Sequence, residues 1–230
     1  MAFCYFLTVN GKSAASVDQL NAVLPQLAGI HGITEVRAHT PASAIDPMLD
    51  DGQPPALVLQ LFFTDIVSLE AANVVDGPIQ VAAAPVVDAM RAATITQQAM
   101  LVRRFDVPEP IAPSSRNEPL CTYLVRYEGP AQDTNAWLSD YIRGHPPLMR
   151  QLPGLRALEI FTRIDWCGAI PWPRSDDLQR NQVVFDTTDA LSIALNSPLR
   201  AQMRQHYEAL PPFDGRVTHF PMHTRTVTAQ

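Results

Sequence analysis

The chain has 230 residues, 47% of them hydrophobic and 17% charged, with a net charge of −6. That composition excludes a disordered protein, and the lack of any Lys or Arg run excludes the electrostatic footprint that a phosphate backbone requires, so no nucleic acid is expected as a partner. No apolar run approaches the ~18 residues of a membrane span, and the apolar N-terminal stretch has no basic lead, so the expectation is a cytoplasmic protein without a membrane partner.

In chain order, MAFCYFLTVNG (1–11) alternates as a strand does, and a helical stretch then ends at LPQLAG (24–29). ITEVRAHT (33–40) places Val36 and Ala38 on one face and Glu35, Arg37 and His39 on the other. PALVLQLFF (55–63) reads as a third strand, followed by a helix with Thr64-Asp65 as cap, and QQAMLVRRF (97–105) as a fourth strand. The segment VPEPIAP (107–113), followed by SSRNEP, has no hydrophobic period and reads as an extended connector near the midpoint.

Beyond the connector the same order returns. EPLCTYLVRYE (118–128) is a strand, and the helix after it carries Trp137 and Tyr141 and is expected to stop at Gly144, before Pro146-Pro147. LRALEIFT (155–162) alternates, with Glu159, Phe161 and Arg163 on one face. RNQVVFDT (180–187) precedes a helix capped by Thr188-Asp189, and HFPMHTRTV (219–227) closes the series.

The two series align with Cys4 against Cys121, Phe6 against Tyr123, Val36 against Leu158, Ala38 against Ile160 and Met100 against Met222. Order β-α-β-β-α-β therefore occurs twice, which predicts an α+β fold of two ferredoxin-like halves, residues 1–112 and 117–230. A four-stranded sheet with helices on one face needs a cover for the other, so the two sheets are expected to pack as an α/β barrel within one chain. The face opposite the helices would line a pocket.

Residues 122–155 carry Tyr127, Trp137 with Tyr141, then His145-Pro146-Pro147-Leu148 and Leu152-Pro153-Gly154. This pattern resembles the opening of an EthD-type domain, duplicated here in tandem. The first half keeps the element order but has Asn21-Ala22-Val23-Leu24 near the place of the His-x-Pro-Leu. The resemblance implies the dimeric α/β-barrel superfamily, which includes cofactor-free cyclases, isomerases, dehydratases, lyases and monooxygenases of small, often aromatic molecules, alongside haem enzymes. The fold does not choose among them.

Histidine titrates near neutral pH, which makes the six histidines the first candidates for proton transfer. His145 at a rigid helix exit, with Tyr141 one turn away, reads as a general acid/base or as a C-capping residue. His219 and His223 share a strand face roughly 13 Å apart, too far to share a metal along one strand. Glu159 is a further candidate base. His39 and Arg37, with Tyr123 and Phe161, are expected in the wall of the pocket, and Trp166 and Trp172 in the loop DWCGAIPWPRSDD (165–177) read as a lid over an aromatic substrate or as packing beneath a loop. His31 reads as a turn residue and His206 as a surface or structural one.

The odd set Cys4, Cys121 and Cys167 suggests neither a disulfide framework nor a zinc knuckle. With no GxSxG, P-loop, GxGxxG or HExxH, no cofactor and no metal are expected. Haem or a metal on distant histidines is the alternative. The leading expectation is a cofactor-independent lyase, by elimination or retro-aldol cleavage, or an isomerase/cyclase of a small aromatic or hydrophobic metabolite. The alternatives are a cofactor-free monooxygenase and a non-catalytic binding or stress protein. The expected partners are a small molecule and, as an assembly, a homodimer.

Overall fold

The computed structural model describes residues 2–11, 15–44, 46–90, 94–111 and 119–229. The expected half boundaries at 112 and 117 lie outside the described residues. Alternating apolar segments form β1 (Ala2–Asn10), β2 (Ile33–Pro41), β3 (Leu57–Phe63), β4 (Thr94–Phe105), β5 (Leu120–Tyr127), β6 (Ala157–Arg163), β7 (Gln179–Phe185) and β8 (Val217–Thr228). They close into an eight-stranded antiparallel barrel in the order β1-β3-β2-β8-β5-β7-β6-β4. The junctions between N- and C-terminal strands are β2 with β8 and β4 with β6.

Among the described residues six helices lie outside the barrel: α1 (Val17–Ala28), α2 (Ile66–Ala72), α3 (Pro78–Ala89), α4 (Thr134–Met149), α5 (Thr188–Leu195) and α6 (Leu199–Glu208). Ser16 begins α1 with a capping box to Gln19, and Asp65 caps α2 as expected. The cap of α5 is Thr187, one residue earlier than the sequence suggested. The helix of α4 also departs from expectation. It runs through His145-Pro146-Pro147 to Met149, because the two prolines fall in its last turns, where Arg150 N–H still closes on the Pro146 carbonyl at 2.9 Å.

Three hydrophobic clusters follow from strand alternation. One joins Tyr5, Leu7 and Val9 to α1 and α3, a second joins Tyr123, Val125 and Tyr127 to α4 and α5, and the third lies inside the barrel. The interior cluster contains Cys4, Phe6, Phe62, Met100, Phe161 and Met222, with Phe6 and Phe161 packed edge to face at 4.9 Å. Cys4 thus faces inward while Cys121 faces the helices, which corrects the Cys4–Cys121 alignment. Equivalent positions are Phe6 and Leu124, whose partners across the sheet are Gln60 and Gln182, and a one-residue slip in a strand exchanges its two faces.

The barrel interior is a packed core, not the pocket expected of it. Arg37 and Arg104 both bind Glu159, Gln182 donates to the same carboxylate, and Gln60 donates to Gln182 at 2.8 Å. Burial pushes the Glu159 carboxyl up, but the Arg37 and Arg104 charges outweigh it and hold the group below its ordinary value. At another level Asp177 bridges Arg126 at 2.9 Å and Arg180 at 2.6 Å. A space of about 20 Å³ lies between these layers, on the scale of a single water and far below that of an aromatic ligand.

Long loops cross between the halves in both directions. The β6–β7 loop lays Trp166, Ile170 and Trp172 on the N-terminal helix–sheet cluster, where Gln97 Nε2 donates to the Ile170 and Trp172 carbonyls at 2.8 and 2.6 Å. The β2–β3 loop makes the reverse crossing, and its Asp46 and Asp51 bind side chains of the C-terminal sheet and α6.

Candidate active site

A cavity of about 250 Å³ lies among the helix–sheet contacts of the C-terminal half. Its walls include Tyr127 from β5, His145 from α4, Arg200, Met203 and Tyr207 from α6, His219 from β8, and Met48, Leu49 and Asp51 from the β2–β3 loop. An adjoining pocket of about 50 Å³ shares Tyr127, His145, Arg200, Met203 and His219, and adds Tyr123 and Asn181. Strand parity explains the set. Tyr123, Tyr127 and Asn181 sit on the helix-facing side of neighbouring strands, and His219 shares that side on β8.

An aromatic stack leads to His145. Trp137 and Tyr141 stack at 5.1 Å, and Tyr141 lies 4.7 Å from the His145 ring, spacings of one helical turn each. The Tyr127 and Tyr141 hydroxyls are 3.0 Å apart, and Asn181 Nδ2 donates to the Tyr141 oxygen. Burial raises both phenols, so each keeps its proton at neutral pH. His145 is 6% exposed; burial, then the charges of His206 and Arg200, push it down to about 3, leaving a neutral imidazole at pH 7.

His145 Nδ1 meets His206 Nδ1 at 3.2 Å. Arg200 donates to Asp46 at 2.7 Å through Nη2, and Tyr123 donates to the same carboxylate. His219 stacks on Tyr123 at 5.7 Å and holds Asp51 at 2.9 Å, while burial leaves its ring below the ordinary value despite that carboxylate. Arg200 Nε and Asn181 Oδ1 are buried and have no hydrogen-bond partner among the described residues. One cavity therefore offers a neutral base, a fixed cation and protonated phenols.

Of the residues named from the sequence, His145, His219 and Tyr123 meet in these walls, with Tyr141 against His145. His39, Arg37, Glu159 and Phe161 are elsewhere, inside the barrel. His39 is fully buried, bonded to Thr224 at 2.8 Å and pushed down to about 3, chiefly by burial. His223 is half-buried on the His219 face and is absent from the cavity walls. Trp166 and Trp172 cover the opposite half. Arg200, Asn181 and the acidic loop residues carry no sequence signal, and His206 reads from the sequence as surface or structural, because their approach depends on where α6 and the β2–β3 loop land. No group of three or more His, Cys, Asp or Glu among the described residues is arranged to hold a metal, and no helix is long and apolar enough to cross a membrane.

No family model and no curated protein matches the sequence. Solved structures do match the fold. An anthrone oxidase-like protein is 11% identical with a TM-score of 0.63, covering 99% of this chain and 93% of its own. A putative monooxygenase from Fusobacterium nucleatum subsp. nucleatum is 7% identical with a TM-score of 0.60, over 99% and 94%. Another from Lactobacillus acidophilus is 10% identical with a TM-score of 0.55, over 99% and 96%. At these identities the likeness is one of fold, shared along nearly the whole of each chain.

Proposed function

We propose that the chain is a monooxygenase of a small aromatic or hydrophobic molecule, reacting through a substrate anion in the cavity of the C-terminal half. The observation that carries this reading is the neutral His145 ring beside the Arg200 guanidinium, inside a wall of aromatic side chains. His145 removes a proton from a methylene activated by a conjugated carbonyl. The Arg200 guanidinium in the cavity wall holds the oxygen on which the negative charge collects. The anion passes electrons to molecular oxygen, the carbon–oxygen bond forms, and loss of water leaves a new carbonyl. One methylene and one molecule of dioxygen thus give one carbonyl and one water, with all four electrons supplied by the substrate.

The leading sequence expectation, elimination or retro-aldol cleavage, would use the same base. Full-length likeness to an anthrone oxidase-like protein and to putative monooxygenases favours oxidation instead. An anthrone, a tricyclic ketone with a doubly benzylic methylene, is the first substrate to offer. Oxygen uptake should match product formation one to one, with one labelled oxygen from 18O2 in the product carbonyl. Turnover without oxygen uptake would sink the proposal and restore the lyase or isomerase reading. His145→Ala should lower kcat by about 10²–10⁴-fold, the usual worth of a general base.

A further inference from the structure

Helices α4 and α6 touch at Gly144, and the contact is tight enough to require that residue. A Cβ built on Gly144 would stand 2.0 Å from His206 Nε2 and 2.9 Å from its Cε1, far inside van der Waals contact. The missing side chain lets the His206 ring lie against α4 and bring its Nδ1 to 3.2 Å from Nδ1 of the next residue, His145. A hydrogen bond at this distance requires complementary tautomers, one ring in the Nδ1–H form that donates and the other in the Nε2–H form that accepts.

The pair also spans a gradient of exposure. His145 is 6% exposed in the cavity wall, whereas His206 is half-buried in the last turn of α6, and its Nε2 has no hydrogen-bond partner among the described residues. The groups around them are Tyr141 on α4, Arg200, Tyr207 and the Arg204–Glu208 pair on α6, Tyr127 on β5 and His219 on β8. Burial first, and Arg200 among these groups, disfavour a positive charge that rests on His145.

We propose that His206 is the proton relay of this cavity, carrying to solvent the proton that His145 takes from a substrate, and that Gly144 is the opening that admits it. This rests on the reading of the cavity as a place of proton abstraction. In the relay, His145 in its Nδ1–H form accepts a proton at Nε2 and passes its Nδ1 proton to His206 Nδ1. His206 then releases its Nε2 proton to water. Each ring ends in its other tautomer, no proton is gained or lost by the pair, and a single positive charge moves from the inner ring to the outer one. Reset requires proton exchange through the same contact in reverse order.

The test has two arms. Histidine-selective 15N NMR of the full chain, with no ligand, should find complementary tautomers for His145 and His206 and a scalar coupling across the shared N–H···N. Gly144→Ala should abolish the coupling with both rings intact and the circular dichroism unchanged. Two Nε2–H rings, with no proton between the Nδ1 atoms, would overturn the relay. In the second arm, oxygen uptake with an anthrone should lose at least tenfold in kcat in both His206→Ala and His206→Asn, with KM within about twofold. Asn retains a hydrogen-bonding group near Nδ1 but cannot relay, and added imidazole should restore the Ala variant. Full activity in His206→Asn would overturn the relay while leaving the oxygenase reading intact. Absence of oxygen uptake in the parent would sink that reading, and the NMR arm would still decide the relay.

Discussion

The buried histidines make stability depend on pH in a direction that follows from their environment. His39 and His145 are each pushed down to about 3 in the folded chain, against about 6.5 in the unfolded one, so between these values the unfolded state binds more protons. Their contribution is full above about pH 6.5 and is lost as pH falls toward 3, at up to about 1.4 kcal/mol per pH unit for each ring. Urea midpoints should fall from pH 7 to pH 5, and His39→Gln should flatten that slope by one proton. An unchanged slope would mean that the His39 ring is already protonated inside the barrel. Arg200→Lys tests the other half of the cavity. It keeps the charge and removes the Nε donor, and should cost kcat roughly 10- to 100-fold in oxygen uptake. Sequence periodicity made His145 and Tyr141 legible, since a helix places residues four apart on one face. His206 was not legible, because its partner is 61 positions away and the approach depends on a side chain that Gly144 lacks.

At the level of elements, strand alternation says which residues share a face but not what fills the space in front of it. Glu35, Arg37, His39, Glu159 and Phe161 do share the inward face, as alternation implies, yet opposing Arg and Gln side chains fill the barrel and leave no room for a ligand there. The same alternation misled where two cysteines suggested a register, since Cys4 and Cys121 look alike in sequence and face opposite ways. Loops gave the least warning. Trp166 packs at 6.0 Å on Tyr5 and lies under the Arg174 guanidinium at 4.0 Å, in the half remote from His145. Trp166→Ala should therefore lower the unfolding free energy by roughly 2 kcal/mol, the scale of a partly buried aromatic, and leave KM unaltered. A rise in KM without loss of stability would return the tryptophan loop to the role of a lid.

For the whole molecule, closure of the barrel is what joins the two halves. In each series the order is one strand, one helix, two strands, two helices and a final strand, so the expected order appears with one helix more than the sequence suggested. That much was readable, because apolar alternation and helix caps are local signals. The junctions β2–β8 and β4–β6 are long-range and were not. A fragment of residues 119–229 would leave β6 and β8 with open edges and no Asp46 or Asp51, and is expected to self-associate in sedimentation experiments, whereas the full barrel has no strand edge left to pair. A well-behaved monomeric fragment would show that the junctions are dispensable. The crossing of the β2–β3 loop bears on inheritance as well as on stability. Because the N-terminal half provides Met48, Leu49 and Asp51 to a cavity whose other walls belong to the C-terminal half, a chimera that exchanges one half between two such proteins would keep the reacting groups of one parent and that part of the wall from the other. Substrate selection and chemistry could then be recombined separately.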